Sequence, residues 1–302
     1  MERLHENRAE FLSAINYTSD YFGISRNAVE KDYYVTLILR GLAQSLDFVV
    51  FKGGTSLSKC HKVIKRFSED IDITIDIKLS QGQMKKLKGA IKEIASDLGM
   101  TIPNIEETRS RRSYNRYILE YDSVLKKSVD IVPSSVLLET SFAEVSFPTV
   151  KLPVTSLIGE YIAAKFPSQS TQYDLSPFEM KVQAIDRTLV DKVFALCDYY
   201  LQNRINKHSR HIYDIYKLQQ IIPLDEHFRE LVKEVRAVRM LTNICPSAQN
   251  GVDVTELLNF IVDKEIYKED YARITSRIID ENVPYEMAVQ SVRLIADSGM
   301  FD

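Results

Sequence analysis

The sequence predicts an α+β fold, in which a mixed sheet flanked by helices is followed by a mainly helical C-terminal domain. Before Pro153, short apolar runs and one strictly alternating run are typical of strands, and helical patterns separate them. After Pro153, nearly all apolar residues recur with helical spacing. We therefore expect a domain boundary near Pro153, between domains 1–152 and 153–302.

Each element is predicted from its spacing and its end signals. Ser25 opens an amphipathic helix as a capping residue, and Gly99 ends another, since glycine is a common helix stop. The predicted helices of the first domain span 25–45, 56–64 and 81–98, and its predicted strands span 47–51, 70–75, 114–121, 128–132 and 143–150. The predicted helices of the second domain span 156–165, 187–202, 209–220, 231–241, 254–262 and 284–296.

Composition and charge exclude several classes of protein. With 45% hydrophobic and 27% charged residues, the chain is typical of a folded globular protein and not of a disordered one. The 39 basic and 42 acidic residues give a net charge of -3, so any nucleic-acid contact requires a local basic patch. The 3 cysteines form no Cys-x-x-Cys motif, which favours reduced thiols. With no long apolar stretch, we expect a cytoplasmic protein without a membrane span.

Asp70 and Asp72 are the main candidates for chemistry. Carboxylates and isoleucines alternate here, so in a strand both acidic side chains lie on one face, with Cα atoms roughly 6.6 Å apart. Such a pair can hold divalent cations, and Mg²⁺ prefers oxygen ligands. Asp76 shares the face but lies too far along the strand to join the same ion. The alternative is a pair of solvated strand carboxylates that bind no metal.

A glycine-rich turn, Gly53-Gly54-Thr55-Ser56, precedes the acidic pair and follows the strand predicted at 47–51. Backbone N–H groups of such a turn and of the helix that follows attract an anion, and phosphate is the expected one. The Gly-x4-Gly-Lys-Ser spacing of a P-loop is absent. The alternative is that the glycines only provide backbone freedom.

Asp130 is a candidate third metal ligand. Its apolar neighbours at 128–132 indicate a strand in the same sheet. Two ions held by three carboxylates can activate an attacking hydroxyl and neutralise a leaving pyrophosphate. A surface residue at the end of a strand is the alternative.

Four segments in order resemble the motifs of the AbiEii/AbiGii nucleotidyltransferase toxins. Residues 51–59 (FKGGTSLSK) and 66–73 (RFSEDIDI) look like motifs I and II. Residues 187–192 (RTLVDK) and 209–216 (SRHIYDIY) look like motifs III and IV, and 29–34 (VEKDYY) resembles the segment upstream of motif I. The resemblance spans roughly residues 28 to 218, and nothing beyond about 225 can be matched.

The resemblance implies a polymerase-β-like nucleotidyltransferase fold and a set of site residues. NTP is the implied substrate, Mg²⁺ the implied cofactor with Mn²⁺ as the alternative, and a cognate antitoxin the implied partner. Asp70 and Asp72 would hold the metal, Lys192 would contact the triphosphate, and Asp214 would be the carboxylate of the second domain. The implied nucleotide-binding residues are Gly53, Gly54, Thr55, Ser56 and Lys59.

The residues alone leave the roles of Lys192 and Asp214 open. On a helix, Lys192 borders the apolar stripe of Leu189, Val193 and Leu196, so a structural lysine with an extended stem is the alternative. Asp214 lies early in a predicted helix, where a carboxylate also suits the helix dipole.

Two clusters of basic residues are candidates for contact with an RNA backbone. The first is Lys59, Lys62, Lys65 and Arg66, and the second is Arg109, Arg111, Arg112 and Arg116. A solvated face is the alternative for each cluster.

Three functional hypotheses follow from these observations. The first is a metal-dependent toxin that transfers a nucleoside monophosphate from NTP to RNA, at the 3′ end of a tRNA, and releases pyrophosphate. The second is a nucleotidyltransferase that modifies a small molecule or a protein, because the metal and phosphate parts would be the same. The third is an inactive module that only binds a nucleotide or a partner.

Overall fold

The computed structural model describes residues 3–66, 68, 70–125, 134–167 and 173–302 of the chain. Its helices are α1 (Arg8–Phe22), α2 (Arg26–Ser45), α3 (Gly53–Lys59), α4 (Gln81–Asp97), α5 (Leu157–Lys165), α6 (Ile185–Leu201), α7 (Arg210–Gln219), α8 (Glu226–Arg239), α9 (Val254–Asp263), α10 (Lys268–Asp270), α11 (Ser276–Ile278) and α12 (Tyr285–Asp297). A π turn, Tyr271–Thr275, lies between α10 and α11. The strands are β1 (Val49–Lys52), β2 (Ile71–Ile75), β3 (Tyr114–Glu120), β4 (Ser135–Val145), β5 (Thr149–Val154) and β6 (Phe178–Gln183).

The described strands form one mixed sheet in the order β3-β4-β2-β1-β6-β5. Strand β1 is antiparallel to β2 and parallel to β6, while β4 is parallel to β2 and antiparallel to β3. The predicted α+β class with a mixed sheet, flanking helices and a helical C-terminal region is therefore confirmed.

Two compact units make up the chain. The first contains Met1–Thr55 and Glu69–Val182, and the second contains Ser56–Ser68 and Gln183–Asp302. Helix α5 and all of β6 except Gln183 therefore lie in the unit of the sheet, although both come after Pro153. Whether a separately folding domain begins near Pro153 stays a prediction.

The first unit is built around apolar strands and the helix α2. Ser25 caps α2 by accepting a hydrogen bond from the Ala28 N–H group, as the sequence predicts. Helix α4 packs closely on α2 because Gly41 has no side chain. A Cβ atom at that position would lie 2.7 Å from Cγ1 of Ile94.

The second unit is helical in its described parts. Helix α6 contacts α7, α8 and α9, and α12 contacts α7 and α9. Its core includes side chains of α6 that are fully buried, namely Leu189, Val190, Val193, Phe194 and Leu196. The predicted helical periodicity therefore corresponds to real buried faces in this unit.

Several element predictions differ from the structure. The helix predicted at 56–64 is α3, which begins at Gly53 and ends at Lys59. The strand predicted at 143–150 is wrong, because β4 ends at Val145 and β5 begins after Pro148, a residue that lacks an N–H group for strand pairing. Strand β6 and helix α1 were not predicted. The strand predicted at 128–132 lies outside the described residues.

None of the helices in the described parts of the chain has the length and apolar character needed to cross a membrane.

The N-terminus of α4 offers a test of this fold by a single substitution. The Ser80 Oγ atom accepts a hydrogen bond from the Gln83 N–H group at 3.3 Å, and the Gln83 side chain accepts one from the Ser80 N–H group at 2.9 Å. We expect Ser80→Ala to lower the free energy of unfolding by about 1 kcal/mol. The Gln83 N–H group would lose its acceptor, and the Gln83 side chain would no longer be held in position to accept from the Ser80 N–H group. Urea denaturation measures this loss. Ser80→Asp keeps a capping oxygen and is the matched control, so equal losses in both variants would contradict the assignment.

Candidate active site

The acidic pair lies at the start of β2. Asp72 belongs to this strand and Asp70 comes directly before it, and both side chains are half-buried. Ile71 and Ile73 are fully buried on the other face, as the alternation predicts. Thr74 shares the face of the acidic pair but is buried, so a covered position separates the pair from the half-buried Asp76. Both carboxylates therefore remain partly accessible at the start of the strand.

A row of charged residues crosses the sheet through Asp72. Lys52 of β1 and Glu139 of β4 are the register partners of Asp72 on its two sides, and Arg116 of β3 is the next partner of Glu139. Residues in one row of a sheet point to the same face. Two carboxylates therefore lie side by side between two cations.

Glu139 is a residue that sequence reasoning missed. It accepts a hydrogen bond from the Tyr114 hydroxyl, and its Oε1 atom lies 3.9 Å from Nε of Arg116. Burial, and then the hydrogen bond to Glu139, raise the pKa of Tyr114 above its usual value. The available sequence signal was the short apolar run of Val136, Leu137 and Leu138 directly before Glu139, which lies in the strand Ser135–Val145.

The predicted glycine turn lies directly against Asp72 of the acidic pair. Gly53 has a φ of 80°, in the left-handed region that favours glycine. A Cβ atom at Gly53 would collide with Oδ2 of Asp72 and would lie 2.9 Å from its Cγ atom. The turn therefore needs glycine for its conformation and for its close approach to the carboxylate.

The other predicted phosphate-binding residues lie in α3, directly after this turn. Gly54 is in the first turn of the helix, and the side chains of Thr55, Ser56 and Lys59 are buried. The first N–H groups of any helix lack partners within that helix. The role of this segment in phosphate binding stays a prediction.

Asp214 is the centre of a buried cluster of charges in the second unit. Its side chain is 0% exposed, and Arg66 holds it with two hydrogen bonds, from Nε to Oδ1 at 2.7 Å and from Nη2 to Oδ2 at 2.8 Å. Lys192 of α6 contacts the same carboxylate, with 2.9 Å between Nζ and Oδ2. The predicted pair of Lys192 and Asp214 is therefore in contact, and Arg66 was not predicted to join it.

Burial and charge act in opposite directions in this cluster. Burial alone would raise the pKa of Asp214, but the charges of Arg66 and Lys192 outweigh it and hold that pKa well below its usual range. Burial lowers the pKa of Lys192, and the Asp214 carboxylate opposes this effect. His211 lies beside the cluster, and neither of its ring nitrogens has a hydrogen-bond partner. Burial and the nearby cations hold the pKa of His211 well below its usual value.

The candidate metal ligands form a small set. Asp130 lies outside the described residues. Among the residues that the structure does describe, no group of three or more His, Cys, Asp or Glu side chains is arranged to hold a metal ion. Asp76, which the spacing excludes from the pair, forms an ion pair with Lys181. Asp70 and Asp72 are thus the described candidates for metal binding.

The two basic clusters differ in exposure. In the first cluster Lys59 and Arg66 are buried, so the interpretation of all four residues as an RNA-binding face is wrong. Every member of the second cluster, Arg109, Arg111, Arg112 and Arg116, is exposed. Only the second cluster keeps the accessibility that contact with an RNA backbone requires.

Comparison with protein families agrees with the motifs and their geometry. A family model described as "Nucleotidyl transferase AbiEii toxin, Type IV TA system" matches residues 37–292. The chain belongs to the AbiEii family. AbiEii proteins are nucleotidyltransferase toxins of type IV toxin–antitoxin systems, so the resemblance seen in the four motifs is confirmed. The match also extends beyond residue 225, where the motifs could not be followed. No curated protein matches the chain.

Gly53 can be tested against a second glycine of the same unit. We expect Gly53→Ala to lower the free energy of unfolding by more than about 1 kcal/mol, because the added methyl group meets Asp72 and the residue has a positive φ. Gly89 lies within α4 with no atom within 4 Å of an added Cβ. Gly89→Ala should stabilise the protein by about 0.5–1 kcal/mol. Chemical denaturation gives the free energy of unfolding of both variants. A Gly53→Ala variant as stable as the parent protein would refute the close approach of Gly53 to Asp72.

Asp214 can be tested in the same way. Its removal leaves two cations buried without their carboxylate, so we expect Asp214→Ala to cost about 3–5 kcal/mol of unfolding free energy. Asp263 pairs with Arg293 at the surface and is 62% exposed, so Asp263→Ala should cost less than about 1 kcal/mol. Thermal and urea denaturation provide both values. A loss for Asp214→Ala no greater than that for Asp263→Ala would contradict the buried cluster.

Proposed function

We propose that this AbiEii protein is a metal-dependent nucleotidyltransferase that transfers a nucleoside monophosphate from NTP to an RNA acceptor. The acceptor is the 3′ end of a tRNA, and pyrophosphate is the second product. One observation carries the proposal: Asp72 of the acidic pair lies directly against the Gly53 turn, in a chain whose family transfers nucleotides. This arrangement would place metal ligands and phosphate-binding amides next to each other.

The donor set supports a hard divalent cation. Asp70 and Asp72 offer only carboxylate oxygens, and Mg²⁺ is usually held by one or two carboxylates together with substrate phosphates. Mn²⁺ accepts the same ligands and is the alternative. A bound cation of this kind would activate the attacking hydroxyl group and neutralise charge on the leaving pyrophosphate. Asp130 remains the proposed additional ligand.

The protein groups would act through binding and charge. Backbone N–H groups of Gly53 and Gly54 would bind nucleotide phosphates, with Thr55, Ser56 and Lys59 in the same segment. Lys192 carries a buried positive charge beside Asp214, and we propose that this charge binds the triphosphate. Such fixed donors and charges stabilise the transferring phosphoryl group without reorganisation.

The exposed arginines at 109–116 support an RNA acceptor. They lie on β3 and the loop before it, and Arg116 is in the same row of the sheet as Asp72. Arginine is well suited to bind phosphate groups of an RNA backbone. We also propose a cognate antitoxin as the partner, since the family belongs to type IV toxin–antitoxin systems.

A transfer assay tests the activity and the acceptor together. Purified protein would be incubated with Mg²⁺ or, in a parallel reaction, Mn²⁺, together with each α-labelled NTP and total RNA, and the products separated by size. We expect label in the tRNA fraction. Label only in protein or in small molecules would refute the RNA acceptor, and no transfer to any acceptor with either metal would refute the enzymatic proposal.

Single substitutions can distinguish the role of Asp70 and Asp72 from that of Asp76, the next carboxylate on the same face. We expect Asp70→Asn and Asp72→Asn each to lower the transfer rate at least about a hundredfold, because each removes a charged metal ligand. Asp76→Asn is the matched control, since Asp76 follows β2 and pairs with Lys181 instead. Initial rates at saturating NTP measure the effect.

Two controls make this comparison decisive. Circular dichroism and thermal unfolding must show that all three variants are folded. If Asp76→Asn lost as much activity as the other two, or if Asp72→Asn kept the rate of the parent protein, the metal assignment would be wrong.

A further inference from the structure

We propose that Arg66 and Asp214 are positioning residues: Arg66 fixes the Asp214 carboxylate, and this carboxylate holds Lys192 as a charged ammonium group for phosphate binding. The inference rests on the proposed function, because it concerns how the triphosphate is bound. It adds Arg66 to the residues of the site, and it gives Asp214 a positioning role instead of a direct catalytic one. Neither residue would contact metal or substrate.

Both oxygens of Asp214 are already occupied. Oδ1 accepts from Nε of Arg66, and Oδ2 is shared by Nη2 of Arg66 and Nζ of Lys192. A fully buried carboxylate with three charged contacts has little capacity left for a cation. It also lacks the properties of a general base, because its pKa lies well below its usual range. Asp214 can therefore act only through its two partners.

The charge balance explains why Lys192 needs Asp214. The cluster contains two cations and one anion, and all three side chains are at most 10% exposed. Without the carboxylate, two positive charges would face each other in a buried environment. Arginine keeps its proton in proteins, whereas a buried lysine readily loses it. Lys192 would consequently be the group that becomes neutral.

The other neighbours of Lys192 would increase this tendency. The groups that interact electrostatically with Lys192 come from α7, from the residue before its N-cap and from the segment after α3, and they are Asp214, Arg210, His211, His208 and Arg66. Asp214 is the carboxylate in this set, and the arginines favour loss of the Lys192 proton. Within this set of described groups, Asp214 is therefore the one that favours the ammonium charge.

Backbone contacts of Lys65 and Arg66 hold the guanidinium group in place. Arg66 forms a β-bridge with Ile279, and the carbonyl group of Lys65 accepts a hydrogen bond from the Asp280 N–H group at 2.8 Å. The Lys65 N–H group donates to the Tyr213 hydroxyl at 3.0 Å, next to Asp214 in sequence. The Tyr213 hydroxyl in turn donates to Glu281 at 2.6 Å. This framework presents the guanidinium group to the carboxylate in a fixed orientation.

The pH dependence of kcat/KM tests the proposal. We expect the activity of the parent protein to fall at alkaline pH as Lys192 loses its proton. In Asp214→Asn this fall should occur about 1–3 pH units lower, because an opposite charge within a few ångströms raises the pKa of a lysine by that amount. Activity should recover towards the parent value as the pH is lowered. A purely structural role would reduce activity by a similar factor at every pH, and that result would overturn the proposal.

Arg66 variants should behave in a different way. Arg66→Gln removes a positive neighbour of Lys192, so the alkaline fall should not move to lower pH. Loss of the fixed carboxylate should instead raise KM for NTP, and Arg66→Lys should restore only part of it, because lysine cannot bind both oxygens in the planar arrangement. An alkaline fall shifted downwards in Arg66→Gln, or full rescue by Arg66→Lys, would contradict the proposed role.

Lys192→Arg gives a further control on the titrating group. This variant keeps a cation beside Asp214 that does not lose its proton, so the alkaline fall should move out of the measured range. A profile with an unchanged alkaline fall would show that another group titrates. All assays would run at a temperature at which thermal unfolding shows every variant to be folded.

A measurement without catalysis separates this inference from the proposed function. Competitive acylation over a range of pH, read at Lys192 by mass spectrometry, gives the pKa of its amine in the full chain. We expect this pKa to be lower in Asp214→Asn than in the parent protein by at least one unit. The same pKa in both proteins would overturn the inference even if transfer is observed. A lowered pKa together with absence of any transfer would sustain the charge coupling and refute only the proposed function.

Discussion

The buried carboxylate of Asp214 is the constraint on which the second unit depends. It joins three separate parts of the chain, since Lys192 comes from α6, Asp214 from α7 and Arg66 from the segment after α3. A charge that is buried away from water needs an opposite charge nearby, and here Arg66 and Lys192 provide it. The helices can therefore pack in this way only while the segment 56–68 belongs to the same unit. The residues that we propose to act in triphosphate binding therefore also connect these parts of the second unit.

The first unit is governed by a different constraint, which is the pairing of β1 with β2. Their register brings Lys52 beside Asp72 and leaves the chain to turn immediately at Gly53. The turn is so close to the carboxylate that no side chain fits between them. Backbone geometry, rather than a chain of side-chain contacts, thus sets the relation between the acidic pair and the start of α3. This explains why the first residue of α3 is a glycine.

Local sequence patterns predicted much of this architecture. The features that were not predicted depend mainly on contacts between residues that are distant in the sequence. Alternation placed Asp70 and Asp72 on one face, and the cap at Ser25 identified α2, because both features depend on neighbouring residues only. Strand β6 is the exception, because Phe178, Met180 and Val182 alternate with Glu179, Lys181 and Gln183, a local strand signal that the prediction left out. The ion pair of Arg66 with Asp214 joins residues 148 positions apart, so no spacing rule could reveal it. Arg66 therefore looked like part of a basic surface.

The order of strands in the sheet limits how this toxin can be divided. A gene fragment that ended at residue 152 would encode β1 without β6, its neighbour on one side, and would cut β5 before its end. The unpaired backbone N–H and C=O groups along β1 would then form an exposed strand edge, at which another chain can pair and cause aggregation. The complementary fragment would lack the arginine that neutralises its buried acid. Truncated or split variants of this protein should accordingly keep residues 1–55 together with 69–182, and residues 56–68 together with 183–302.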